Sequence, residues 1–96
     1  MKACINCDGN TAVGFNSLLT LQSGAYNSAF GWDTLRVTTG SYNSGYGTDA
    51  LVSNTSGENN TAVGVQAGRA NTLGSSNTYI GTNAGYENES SLYFGD

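Results

Sequence analysis

The sequence contains no proline and no histidine, and only 10% of its 96 residues are charged. The lack of histidine excludes the Ser-His and Cys-His pairs that activate most protein nucleophiles. With three basic residues against seven acidic ones, the chain has no basic stripe for nucleic acid. No apolar run approaches the roughly 20 residues that a membrane-spanning helix needs. These absences predict a chain without catalysis, a cofactor, nucleic-acid contact or membrane insertion.

What the sequence does contain is five copies of one five-residue motif. Each copy has an asparagine, a serine or threonine, a mostly small third residue, an apolar or aromatic fourth residue and a glycine. They recur every 16 or 17 residues, and so short a fixed period predicts a solenoid in which each repeat is one coil. The copies are Asn10–Gly14, Asn27–Gly31, Asn43–Gly47, Asn60–Gly64 and Asn77–Gly81.

The repeat divides the chain into a lead-in at residues 1–9 and one repeat domain at residues 10–96. No stretch has the composition of a linker, so we predict a single all-β domain, a parallel β-solenoid of five to six short coils. The coils are predicted at residues 10–26, 27–42, 43–59, 60–76 and 77–90, with a partial copy at residues 91–96.

The motif alternates as a strand does, with its second and fourth residues on one side and its third on the other. We assign the fourth residues to the core as a column, and the third residues to a column of small side chains that another surface can approach closely. The predicted core column is Val13, Phe30, Tyr46, Val63, Ile80 and Phe94. The predicted small-residue packing column is Ala12, Ala29, Gly45 and Ala62.

Two further positions of the repeat indicate a backbone turn and a second apolar stretch. The motif glycines suit a bend or a positive φ, and they are Gly14, Gly31, Gly47, Gly64 and Gly81. A second apolar stretch supplies leucine to the early coils and fades later, where Gly68 and Gly85 take the place of the leucines.

The clearest copy, Asn-Thr-Ala-Val-Gly-Val-Gln-Ala at Asn60 to Ala67, resembles the repeat of bacteriophage tail-fibre-like proteins. It is also similar to the Val-Ala-Ile-Gly repeat in the left-handed parallel β-roll head of trimeric autotransporter adhesins. The resemblance covers residues 10 to about 85 and the partial copy at the end. It implies a left-handed roll and a homotrimer of three rolls about one axis. This chain differs in having serine or threonine at the adhesin valine position and a longer period.

The resemblance implies a non-enzymatic virion structural protein, a tail-fibre or spike-type module on the virion surface that contributes to assembly or host attachment. Its partners would be further copies of itself, other tail or capsid proteins and a glycan on the host surface. The start of the chain, Met1 to Asp8, lacks the apolar segment of a secretory signal. That favours assembly in the host cytoplasm over a cellular adhesin or carbohydrate-binding module.

The short length of the chain favours a different placement. A small trimer without a shaft or tail adaptor suits a capsid decoration protein, also called a cement protein, which stabilises the shell by binding only its assembled state. Sequence alone leaves both placements open.

Aromatic residues recur in pairs at two repeat positions, Phe15 with Trp32 and Tyr26 with Tyr42. Each pair should stack, because its members lie one coil apart. Such pairs either pack in a trimer interface, the interpretation that we favour, or hold a sugar or a protein partner.

Two sets of residues could carry chemistry of other kinds. Cys4 and Cys7 form a Cys-x-x-Cys, which suits a disulfide, free thiols or half of a zinc site whose other ligands come from further copies. Asp33 and Asp49 share a column that could hold Ca²⁺, although we favour a solvated turn whose side chains satisfy local N–H groups. The column is Asn16, Asp33, Asp49, Gln66 and Asn83.

Overall fold

The computed structural model of the chain describes residues 8–20 and 23–86 in full and residues 92–94 by their backbone. The predictions for Cys4, Cys7 and the side chain of Phe94 lie outside these described residues. Within them no helix is long and apolar enough to cross a membrane.

Six strands of three residues each form one parallel sheet, in which every strand pairs with the next one along the chain. This order confirms the predicted all-β parallel solenoid, because each 16- or 17-residue repeat adds one strand to the sheet. About four turns separate the first strand from the fifth. The strands are β1 (Thr11–Val13), β2 (Ser28–Phe30), β3 (Ser44–Tyr46), β4 (Thr61–Val63), β5 (Thr78–Ile80) and β6 (Leu92–Phe94).

The register of the sheet places equivalent motif residues beside each other, so that Ala12 pairs with Ala29 and Ala29 with Gly45. Each of the first five strands is followed directly by the motif glycine, whose φ lies between 113° and 137°. A Cβ at Gly47 would lie only 2.6 Å from the carbonyl oxygen of Gly64 in the next coil. Both conformation and space therefore require glycine there, which confirms the predicted turn glycines.

The motif asparagines form a ladder through the solenoid. The Asn43 Oδ1 accepts a 3.0 Å hydrogen bond from the Asn60 backbone N, and the Asn43 Nδ2 donates a 2.9 Å bond to the Gly57 carbonyl across the coil. The same pair of bonds is made by Asn10, Asn27 and Asn60. Because one side chain must both accept and donate at this reach, asparagine is the residue that the motif needs.

The predicted core column is wrong, although the predicted alternation is right. Ala29, Ala62 and Tyr79, which are third residues of the motif, are fully buried. The fourth residues point outward, and Val13 and Val63 are 55% and 42% exposed. The other described members of that column, Phe30, Tyr46 and Ile80, are also only partly covered or exposed.

The interior of the coil is too narrow for large side chains from both walls. Leu18, Leu35 and Leu51 enter it from the wall opposite the sheet and are fully buried. A Cβ on Gly45 would lie 2.7 Å from Thr34 Cγ2 and 3.5 Å from Leu35 Cδ1. The small-residue packing column of Ala12, Ala29, Gly45 and Ala62 therefore packs against the chain's own leucines, not against another surface.

Candidate functional site

The outer face of the sheet, formed by the second and fourth residues of each motif, carries a row of exposed apolar side chains. We call this row the outer column, and its described members are Val13, Phe30, Tyr46, Val63 and Ile80. The rings of Phe30 and Tyr46 stack with centroids 4.9 Å apart and planes 10° apart. A soluble chain exposes contiguous apolar rows of this kind mostly where a partner covers them.

A second row, the border column, lies one residue beyond the motif glycines. It is apolar at Phe15, Trp32 and Val65, and threonine holds the position in the third and fifth coils. Phe15 and Trp32 are 65% and 58% exposed, and their rings contact each other with centroids 5.2 Å apart and an interplanar angle of 54°. Val65 continues the border column in a later coil and is exposed as well. The predicted contact of Phe15 with Trp32 is confirmed, and it extends the apolar surface beyond the outer column.

On the other side of the strands, Tyr26 and Tyr42 stand one residue before the motif asparagines. Their rings stack with centroids 5.3 Å apart and planes 12° apart, and their side chains are 53% and 57% exposed. This confirms the predicted contact. Both tyrosines have a left-handed backbone, with φ of 59° and 62°. Asn59 and Ser76 hold the same conformation at this position in the next two coils.

All three aromatic pairs therefore belong to the first three coils. The segments that carry the rings of the second and third coils, residues 24–32 and 40–48, contain no charged residue. Later coils replace the rings by aliphatic or polar side chains, such as Val63, Ile80 and Asn59. Among the described residues, the exposed aromatic pairs therefore lie in the early coils and not in the later ones.

The column that contains Asp33 and Asp49 is a turn. Its residues all have φ between 58° and 62°, a conformation that asparagine and aspartate tolerate better than most residues. The Asp49 backbone N donates a 2.8 Å hydrogen bond to the Trp32 carbonyl, and Asp33 Oδ1 lies 3.9 Å from Arg36 Nε. Among residues 8–20 and 23–86, no three His, Cys, Asp or Glu side chains are close enough to hold a metal ion.

Sequence reasoning missed which face of the sheet is exposed. A signal for it was present, because the buried leucines of the early coils leave space for nothing larger than alanine or glycine on the facing strand. A second signal is Tyr79, which takes the third-residue position of the fifth coil, where Gly85 replaces the leucine as Gly68 does in the fourth coil.

No protein-family model, no curated protein and no solved structure matches this chain.

Proposed function

We propose that this chain is a non-enzymatic structural module of a virion surface, of the tail-fibre or spike type, and that it works as a left-handed homotrimer. The observation that carries the proposal is the exposed apolar surface of the outer and border columns. The chain builds this surface on every described coil with the repeat that resembles phage tail-fibre-like proteins.

The size of the surface suits contact between copies. Seven side chains of the two columns are 40 to 65% exposed: Val13, Phe15, Trp32, Tyr46, Val63, Val65 and Ile80. At roughly 100 Å² of exposed area each, about half of what a large side chain presents, they offer on the order of 700 Å². A stable interface takes about 800 Å² from each partner. Three rolls that turn these columns toward one axis would therefore each cover most of this surface.

The polar second residues of the motif lie beside the outer column, so the contact between copies would include hydroxyl groups. Thr11, Ser28 and Thr61 stand on the same face as Val13, Phe30 and Val63. A mixed row of this kind suits an interface that closes after the separate rolls have folded, because fully apolar faces would aggregate first.

The first test is the mass of the native particle in solution, measured by light scattering. We expect a discrete species of about three times the 9.9 kDa chain mass. Val63→Asp places a charge in the outer column and should yield folded monomers, whereas Ser56→Asp adds the same charge on an exposed turn and should leave the trimer intact. A wild-type monomer, or an open-ended polymer, would overturn the proposed trimer.

The second test places the chain on the virion. Antibodies against the chain should detect it in purified tail fractions if it is a fibre or spike module. Saturable binding of the purified trimer to empty capsid shells, with no signal from tails, would replace this placement by the capsid decoration role.

A further inference from the structure

We propose that Tyr26 and Tyr42 form a stacking platform for a neutral hexopyranose glycan, with the sugar seated beside Tyr42 over Asn59. The inference deepens the proposed surface role and rests on it, since a ligand on the host must meet an exposed part of the module. It uses a column that the proposed trimer contact does not include.

The first argument is backbone strain. Tyr26 and Tyr42 have φ of 59° and 62°, a left-handed conformation that costs a side chain with a Cβ about 1 to 2 kcal/mol. Asn59 shows that the fold has a cheaper residue for this turn. Ser76 holds the same φ as well, so the repeat sets the backbone there and leaves the side chain open to choice. Two large rings at an exposed position that asparagine and serine also fill indicate a use for the rings outside the fold.

The second argument is where the rings stop. The column begins at Gly9, where an added Cβ would collide with the Tyr26 ring. The backbone at Gly9 therefore covers one face of Tyr26. Tyr26 then stacks on Tyr42. The next member, Asn59, carries no ring, which leaves Tyr42 without an aromatic neighbour on that side. A sugar ring placed there would continue the stack at the spacing of the coils.

The third argument is the chemistry around this position. A pyranose presents an apolar C–H face for an aromatic ring and a rim of hydroxyl groups for polar partners. Asn59 and Ser76 continue the column beyond Tyr42 and are exposed, so an amide and a hydroxyl are available for that rim. The column itself has no charge, and the neighbouring Glu58 is exposed. This favours a neutral glycan over an acidic one.

The experiment is a titration of the wild-type chain with maltohexaose and with cellohexaose at millimolar concentrations, followed by NMR of the tyrosine ring protons. A hexamer of polygalacturonate serves as the acidic counterpart. We expect saturable shifts of the Tyr42 ring with at least one neutral hexasaccharide and none with the acidic one.

The decisive variant is Tyr42→Asn, which copies the residue of the next coil and is therefore expected to fold. It should weaken sugar binding by about tenfold, the effect of losing one stacked ring. Leu73→Ser, which removes an exposed apolar side chain at another repeat position, should bind as the wild type does.

Two results would overturn the proposal. One is no saturable shift with either neutral hexasaccharide, and the other is binding that Tyr42→Asn leaves unchanged. If Tyr42→Asn instead breaks the native particle into monomers, the tyrosines belong to the contact between copies. A wild-type trimer that binds no sugar would refute the glycan proposal and leave the proposed structural module standing.

Discussion

The early and late coils fill the same narrow interior in opposite ways. In the first three coils Leu18, Leu35 and Leu51 enter from the wall opposite the sheet and meet alanine or glycine on the strands. In the fifth coil the strand supplies Tyr79, whose ring lies against Gly85 of the same coil and Gly68 of the fourth coil. A Cβ at Gly68 would lie 2.8 Å from Tyr79 Cδ2. The difference shows that the interior of the solenoid has to be filled, and that either wall can provide the side chain that fills it.

The backbone hydrogen bonds are the same in both regions. The Leu35 N donates to the Ala50 carbonyl at 3.0 Å, and the Gly68 N donates to the Ala84 carbonyl at 2.8 Å. The left-handed conformation is also shared, with φ of 50° at Leu35 and 66° at Gly68. Leucine is strained there and glycine is not. In the early coils the free energy gained by burying a leucine therefore outweighs the cost of its left-handed backbone.

The largest expected effect comes from removing the ring that fills the late coils. Tyr79→Ala copies the small strand residue of the early coils without their leucines, so it leaves a cavity. We expect unfolding in urea to require about 4 kcal/mol less free energy. Tyr79→Phe keeps the ring and loses the 3.1 Å hydrogen bond from the Tyr79 hydroxyl to Asn71 Oδ1, which should cost about 1 kcal/mol. Equal losses for the two variants would contradict the volume argument.

The asparagine ladder runs through both the early and the late coils, so removing one asparagine in each region tests how much the ladder stabilises it. Asn27→Ala in an early coil should lower the unfolding free energy by about 3 kcal/mol, because the Asn43 backbone N–H and the Gly40 carbonyl both lose the side chain that they bond. Asn60→Ala in a late coil should cost about 2 kcal/mol, because the Gly74 carbonyl still accepts a 3.0 Å hydrogen bond from Asn71 Nδ2. Ser44→Ala, on the outer face, is the control and should have little effect. A loss from Asn60→Ala as large as that from Asn27→Ala would mean that the bond from Asn71 to the Gly74 carbonyl does not compensate.

A double variant can turn a late coil into an early one. Gly85→Leu added to Tyr79→Ala restores a leucine opposite a small strand residue of the same coil, and we expect it to recover about 2 kcal/mol of the loss from Tyr79→Ala. Gly85→Leu alone should be destabilising, because its side chain would collide with the Tyr79 ring. Additive effects in this double-mutant cycle, measured by urea unfolding, would mean that the two walls do not share one space.

The smallest expected effect is a gain. Tyr42→Asn exchanges a strained tyrosine for the residue that Asn59 provides in the next coil, so the unfolding free energy should rise by about 1 kcal/mol. Tyr46→Val, at an outer-column position with an extended backbone, offers no such relief and is the matched control. A loss of stability in Tyr42→Asn would mean that ring stacking with Tyr26 outweighs the strain.

Much of the fold could be predicted because it depends on the repeat alone. The spacing of Gly14, Gly31 and Gly47 is enough to predict parallel coils in register. The same spacing predicts that Phe15 meets Trp32 and that Tyr26 meets Tyr42. The sequence could not single out Tyr42 as the proposed glycan position, because the left-handed φ of a tyrosine is visible only in the structure.

The sequence by itself determined the period, the register, the glycine turns and the alternation of the strands, since each is a local property that recurs with the motif. Only the tertiary structure decided which side of the strand is inside. Alternation separates the two faces of β1 but does not show which one is buried, and Ala12 and Val13 are both apolar. The opposite wall of the coil decides which face is buried, because the leucines there leave space for alanine and force valine outward.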